Sequence, residues 1–403
     1  ARQSTDLRAA RQALPAGPAA LTARRRRRKL AAERTPMPDP TDDRQLPLHH
    51  RHVQAGAVFG SEGGWQVPLR YAGVLDELQA AAGRAAVCDL SHIGRVRIKG
   101  DGALALLDRA ATVSAARQED HTARLNLLCD DHGGILDCGY LHRLEKDWLL
   151  TTDPAQRRTV LAHLQGLADE MGLSVTLEDR TDKTVMLGVV GPAGPDLLDT
   201  VLPQPVGALT AGELIEGSYL VARYVAARTG ATALWSLEVV VGKLLAGQAW
   251  DYVTARLGDG GLAPMGAAAR DVLRISAALP RYGHEINRTI DPVTAGLMHA
   301  VDLDHDFLGR PAVEEIARRG PARRRVALAA SEAGPGAIPR CGDALHDEAG
   351  LEVGAVTSAT YSPIQQRVVA MGYLAPASAE LGTTLTAATA EGDRAMDVAA
   401  GRS

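Results

Sequence analysis

Cysteine is scarce: four residues in 403 (Cys88, Cys129, Cys138 and Cys341), with no C-x-x-C pair among them. That excludes a disulfide framework and gives no signal for zinc; the apolar or mixed surroundings fit reduced thiols in a cytoplasm. Long apolar runs are missing too. The stretch Val239–Trp250 is broken by Lys243 and Gln248, so nothing is expected to span a bilayer. Aromatic residues make up 3%, against 46% apolar and 23% charged, which is neither a disordered nor a collagenous composition. Lysine is rare, 5 against 39 arginines, as in a GC-rich bacterial genome. No G-x-S-x-G elbow or P-loop occurs.

The formal charge of −4 hides an asymmetry. Residues 1–36 carry ten basic side chains against Asp6 and Glu33, a balance of +8 that leaves −12 for the rest. An acidic body does not suit nucleic acid, which needs clustered Lys and Arg. Only the head, with its Arg24–Lys29 cluster, has that character. Like-charge blocks are disordered, and the first methionine is Met37, so residues 1–45 are expected to be a disordered extension, with translation starting at Met37. The competing readings of the cluster are a nucleic-acid arm or an Arg-rich leader.

At about 150 residues per domain the length implies two or three domains. Apolar residues at three- and four-residue steps predict helices over 73–86, 103–111, 155–171, 194–201 and 244–257. Alternating or β-rich runs predict strands over 94–100, 148–152, 184–190, 219–227 and 234–241, and a hairpin of 125–129 with 135–144 around Asp130-Asp131-His132-Gly133-Gly134. Strands and helices alternate without a strict βαβ rhythm, so the class is α+β. Beyond residue 322 only short β-type runs remain (326–330, 344–345, 351–358, 368–374 and 384–388), which predicts a C-terminal barrel or sandwich.

Several motifs invite a functional reading and do not hold it. Gly188-x-x-Gly191-x-x-Gly194 has the wrong spacing for a dinucleotide loop and reads as a strand–helix turn. Asp302, Asp304 and Asp306 begin like a calcium loop, but Phe307 and Val313 stand where it needs Gly and Glu. His49, His50 and His52 lack carboxylate or thiol partners in sequence and read as a surface strand end.

Eight segments, in unbroken order from about Leu46 to the C-terminus, carry a resemblance: Gly64-Trp-Gln-Val-Pro68, Asp89-Leu-Ser-His92, His132-Gly-Gly-Ile-Leu-Asp137, Gly266-x3-Arg270-Asp271-x2-Arg274, Tyr282-Gly-His-Glu285, Ala295-Gly-Leu297, Phe307-Leu-Gly-Arg310 and Thr357-Ser-x3-Ser362-Pro363. The chain resembles the aminomethyltransferase family, the T protein of the glycine cleavage system and its folate-dependent relatives. The resemblance implies an α+β, three-domain fold with ferredoxin-like units and a C-terminal β-barrel around a central channel. The implied domains are 46–95 with 179–288, an inserted unit 96–178 with 289–321, and a barrel 322–403.

It also implies tetrahydrofolate in the channel and transfer of a one-carbon unit, in the family typically from an aminomethyl group on a lipoylated carrier protein. A carboxylate at the end of the hairpin strand serves there, because fixed negative charge favours the electron-poor carbon that forms. The sequence departs from that pattern. Where the family reads G-G-x-x-D-D, this chain has Asp137-Cys138, so Cys138 stands at the functional carboxylate. Leu125 replaces the tyrosine near the pterin and Thr152 the asparagine after the next strand. Glu238, which in the family bonds the pterin, and Arg270, near the folate tail, are kept. Asp137 and Cys138 are the catalytic candidates: Asp137 as a shifted carboxylate, Cys138 as nucleophile or base if its pKa is lowered and as a packed, inert thiol otherwise. Leu125, Thr152, Glu238 and Arg270 are the cofactor-binding candidates. The expected function is a folate-dependent one-carbon transferase acting on a small molecule, without nucleic acid or membrane partners. A conventional T protein, an enzyme that has dropped folate, and a non-catalytic folate-binding protein are the alternatives.

Overall fold

The computed structural model describes residues 43–401 except 220–221, 231, 233 and 256–260. The cluster Arg24–Lys29 and Met37 lie outside the described residues.

From Arg44 the chain forms β1 (Arg44–Gln45), α1 (His49–Gln54) and a hairpin of β2 (Val58–Glu62) and β3 (Trp65–Arg70), with β3 central in a three-stranded sheet. The hairpin turns on Gly63 and Gly64, at φ +58° and +79°, the left-handed pair that a two-residue loop needs. The three histidines therefore lie on a helix, not a strand end. His52 is fully buried because its imidazole bonds the buried Asp89 (Nε2 to Oδ2, 2.8 Å) and the Tyr71 hydroxyl (2.9 Å). Helix α2 (Val74–Gly83) ends three residues earlier than its periodicity predicts. The backbone breaks at Arg84, and Ala86–Asp89 becomes β4, buried throughout.

Strands β5 (Gly94–Lys99), β6 (Thr122–Cys129), β7 (Ile135–Arg143), β8 (Trp148–Thr152) and β9 (Thr176–Asp179) form a sheet in the order β6-β7-β8-β5-β9. Helices α3 (Ala103–Ala110) and α4 (Arg157–Glu170) pack on it. Ala103, Leu106, Leu107 and Ala110 make the buried stripe of α3, and they meet Trp148, Val160 and Leu164 in one core.

The chain then returns to the strand it left: β10 (Thr184–Val190) pairs antiparallel with β4, Leu187 opposite Asp89. With β11 (Leu214–Tyr219), β12 (Ala222–Ala227), β13 (Ser236–Gly242) and β14 (Ala263–Pro264) they form a sheet ordered β11-β12-β13-β10-β4-β14, joined by α5 (Gly194–Asp199) and α6 (Lys243–Ala255). Of the strand expected over 219–227, Ala222–Ala227 is β12, and it pairs antiparallel with β11, which the expected set lacked. Gly191 makes the turn from β10 to α5 at φ +131°. Helix α7 (Ala267–Ser276) follows, then a stretch with little regular structure, and α8 (Arg310–Arg319), whose Val313 packs with Phe307 on Leu127 and Ile135. In that stretch Asp302 pairs with Arg124, Asp304 with Arg117 and Asp306 with Arg109, so the three aspartates are spent on ion pairs.

Six strands, β15 (Arg324–Ala330), β16 (Ala344–His346), β17 (Glu352–Ser362), β18 (Arg367–Leu374), β19 (Thr384–Thr389) and β20 (Gly392–Ala399), close into a barrel ordered β15-β18-β17-β16-β19-β20. Strand β20, absent from the expected set, closes it by pairing with β15. Closure removes the edges that a sandwich would leave. Among the described residues no helix is long and apolar enough to cross a membrane.

Candidate active site

The two larger open sheets, α7 and the barrel enclose a cavity of about 830 Å³. Leu125, Cys138 and Thr152 face it from β6, β7 and β8, Glu238 from β13, Arg270 from α7 and Arg325 from β15. Five of the six candidate residues therefore meet at one wall. Asp137 does not line it.

The hairpin that carries Cys138 is set by its turn. Asp130 Oδ1 accepts the N–H groups of His132 and Gly134, each at 3.0 Å, and Gly133 takes φ +78°. Successive side chains on β7 point to opposite faces. Residue 138 consequently meets the cavity, and Asp137, 2% exposed, points into the wall behind it, where Oδ1 accepts the Asp153 backbone N–H at 3.0 Å. Asp153 does line the cavity, just past β8. Its Oδ1 accepts the Ala155 N–H at 2.8 Å, and it has no ion pair among the described residues. Burial and the neighbouring Asp153 push Asp137 well above the usual carboxylate range, and burial also raises Asp153.

Cys138 does not meet the condition that would make it a nucleophile. Burial, then Asp137 and Asp153, push its thiol up to about 12, so it is protonated at neutral pH and carries no charge into the cavity. Alkylation of the native protein by iodoacetamide at pH 7.5 is expected to label the exposed Cys341 and spare Cys138; equal labelling by peptide mass mapping would contradict that environment.

At another part of the wall, one oxygen of Glu62 gathers three partners: His92 Nε2 at 3.1 Å, Arg270 Nη2 at 3.2 Å and Arg281 Nη2 at 3.0 Å. Burial alone would raise this carboxyl, but His92 and the two guanidiniums hold it well below its ordinary value. Arg270 is thereby fixed rather than free to swing. Glu238 is the reverse case. It forms no ion pair among the described residues, and burial pushes it up to about 7 against the pull of the Thr229 hydroxyl and Arg270. Nearby, the Ser236 hydroxyl is buried without a hydrogen-bond partner among the described residues, and Tyr140 ties the two sheets together by donating to the Thr229 carbonyl at 3.0 Å.

Residues 48–305 match the family described as "GCVT N-terminal domain", and residues 323–401 match "Glycine cleavage T-protein C-terminal barrel domain". The chain belongs to the glycine cleavage T-protein family. Aminomethyltransferase of Desulfitobacterium hafniense (strain Y51) is 31% identical over 86% of this chain and 93% of its own length, and that of Streptomyces avermitilis is 33% identical over 84% and 91%. The crystal structure of glycine cleavage system aminomethyltransferase T from Bartonella henselae superposes with a TM-score of 0.81 at 30% identity, covering 89% of this chain and 97% of that one.

This T-protein family member is accordingly a one-carbon transferase by family, with the mixed α+β fold and closed barrel expected from sequence. Glu62, Asp153, Arg281 and Arg325 at its cavity were missed. Asp153 opens the helix-leading segment Asp153-Pro154-Ala155 and reads as a cap; Arg325 ends a triple-arginine run and reads as a solvated linker. For Glu62 the signal was its position directly before the Gly63-Gly64 turn. Among the described residues no cluster of His, Cys, Asp and Glu fits a metal ion.

Proposed function

We propose that this chain is a tetrahydrofolate-dependent one-carbon transferase acting on a small-molecule donor, a paralogue of the aminomethyltransferases in which the reacting corner has been rebuilt. The observation that carries the reading is Cys138, a neutral thiol at the wall position where the resemblance puts a carboxylate, in a cavity that keeps Glu238 and Arg270.

The wall fits a reduced pterin. Among the described residues the buried Ser236 hydroxyl has no partner and Glu238 makes no ion pair, and Leu125, Met186 and Trp235 supply apolar surface for a ring. When bound, tetrahydrofolate supplies a ring nitrogen that takes the one-carbon unit as the carbon's bond to the donor heteroatom breaks and the nitrogen's proton leaves, with no net oxidation. Glu238 accepts hydrogen bonds from ring N–H groups, and Arg270, anchored on Glu62, offers positive charge to an anionic tail. Asp153 follows β8, the strand paired with β7, and is the cavity carboxylate whose charge reaches Cys138; its second oxygen makes no bond to the described protein, so it is the group placed to receive a proton. Its raised pKa suits that task at neutral pH. Asp137 acts through Asp153, holding its backbone from behind as a positioning residue. Four free thiols fit the reducing cytoplasm in which we place the enzyme.

The test is a titration with tetrahydrofolate followed by single-turnover transfer, read as the mass gain of the folate, with an aminomethylated lipoyl carrier and with N-methylated amino acids as rival donors. A folate Kd weaker than millimolar overturns the reading; a faster transfer from the lipoyl carrier returns the chain to the conventional role. In the enzyme so assayed, Asp153→Asn is expected to lower kcat about 100-fold with little change in folate Kd, whereas Cys138→Ala holds kcat within about threefold.

A further inference from the structure

The corner of the cavity around Cys138 has an unusual charge. Arg325 enters it from β15, the only strand of the barrel that contributes to the wall among the described residues. Its backbone N–H is held by the Thr294 carbonyl at 3.1 Å. Its guanidinium is aimed by two further main-chain oxygens: Nε donates to Ala295 at 2.6 Å and Nη1 to Ala278 at 2.7 Å, with Met371 Sδ at 3.6 Å from Nη1. A guanidinium has five N–H donors in a fixed fork. Three are accounted for here, and both on Nη2 are unclaimed among the described residues.

No carboxylate pairs with Arg325 among those residues. The two acidic groups on neighbouring segments are already committed, Glu285 to Arg274, Arg281 N–H and Ser358, and Asp291 to Thr294. Cys138 and His299 share the corner, the first uncharged and the second lowered by burial and by Arg325 itself. A partly desolvated cation with an open two-donor edge and no counter-charge is a half-made ion pair, and the planar fork matches a carboxylate.

We infer that Arg325 is the specificity residue for the donor, binding a carboxylate on a small acidic substrate and setting its reacting end beside Cys138 and Asp153. The inference rests on the folate-transferase reading for its reaction and deepens it by naming the substrate class, a small carboxylic acid that carries a one-carbon group. A carboxylate of bound folate is the other source of the same chemistry. The small acid is favoured because Arg325 and Cys138 form the reacting corner, while Arg270, on α7, is the cation held at Glu62 by a separate segment.

The experiment is calorimetric titration of the full chain with acetate, propionate, glycine and N,N-dimethylglycine, each against its matching amide, with tetrahydrofolate titrated in parallel. At least one acid is expected to bind at millimolar Kd or tighter, its amide at least tenfold more weakly. Arg325→Met is expected to abolish the difference between acid and amide. Because that substitution also removes the contacts to Ala278 and Ala295, a second variant leaves the guanidinium in place: Cys138→Asp supplies a counter-charge from within and is expected to weaken the acid at least tenfold. Binding by no acid, or acid binding unchanged in a folded Arg325→Met or in Cys138→Asp, overturns the inference. A tenfold loss of tetrahydrofolate affinity in Arg325→Met, without loss of acid binding, assigns the corner to folate and overturns it as well. If wild-type protein binds the acid through Arg325 but no folate, the inference stands and the folate reading falls.

Discussion

Glu285→Ala is expected to destabilise the protein by about 3–5 kcal/mol, the cost of stranding a buried partner of an ion pair. Glu285 is 1% exposed, and its two oxygens hold Arg274 Nη1 at 2.8 Å, the Arg281 N–H at 3.0 Å and the Ser358 hydroxyl at 2.6 Å. Arg274 lies on α7 beside the cavity and Ser358 on the barrel strand β17, so one carboxylate joins the barrel to the helix that carries Arg270. Without it Arg274 keeps Asp271 at 2.7 Å and Ser358 at 3.0 Å and loses its buried counter-charge. Urea unfolding should show the midpoint falling, and removing the charge on both sides, Arg274→Met with Glu285→Leu, should recover much of the loss. A drop under 1 kcal/mol for the single variant would mean that this pair is not what ties the barrel down.

Glu238→Gln is expected to make the protein more stable and less able to bind folate. A carboxyl raised to about 7 from an ordinary value of 4.5 binds its proton more tightly in the folded state. Stability therefore declines as pH rises from about 4.5 to about 7, and the penalty is complete above that. Glutamine removes it. The gain, about 1–2 kcal/mol once the water of the cavity has screened the charge, should appear in melts at pH 8 and vanish at pH 4. Folate affinity should fall by about 10- to 100-fold, the worth of a charged hydrogen bond. An equal shift in Tm at both pH values would sink the assignment of this titration to Glu238.

Local patterns made much of the fold legible. The hairpin around Asp130–Gly134, the stripe of α3 and the β-rich C-terminus each depend on neighbours in sequence, and ordered short segments revealed the family. What escaped depends on closure of the chain. His52 and Asp89 are unremarkable alone and become a buried pair only when α1 packs over β4. Arg325 follows Arg323 and Arg324, and a run of charge reads as solvated surface. Alternation along β15 puts Arg325 with Ala327 and Ala329 on the outer face of the barrel, toward the cavity, while Arg324 shares the face of the barrel-core residues Val326 and Leu328 and stays exposed at the strand's start, a distinction of one residue in register. Cys138 stood out in sequence as a departure from the family's carboxylate, but its protonation is a property of burial, which no local pattern encodes. Asp137 and Cys138 are adjacent in sequence and face opposite ways, so the carboxylate that seemed the nearest substitute is on the wrong side of the strand, and the one that reaches the cavity, Asp153, comes from across the ladder.

The pairing of β4 with β10 sets a timetable for the nascent polypeptide. Leu187 sits opposite Asp89, with the whole five-stranded sheet encoded between them. At about 5–20 residues per second, β4 emerges from the ribosome about 5–20 s before its partner. During that interval an apolar segment has an unsatisfied hydrogen-bonding edge, while the intervening sheet has time to assemble on its own. The birth of the central cavity is therefore the late event, and chaperone demand should be greatest for ribosomes stalled between residues 90 and 190.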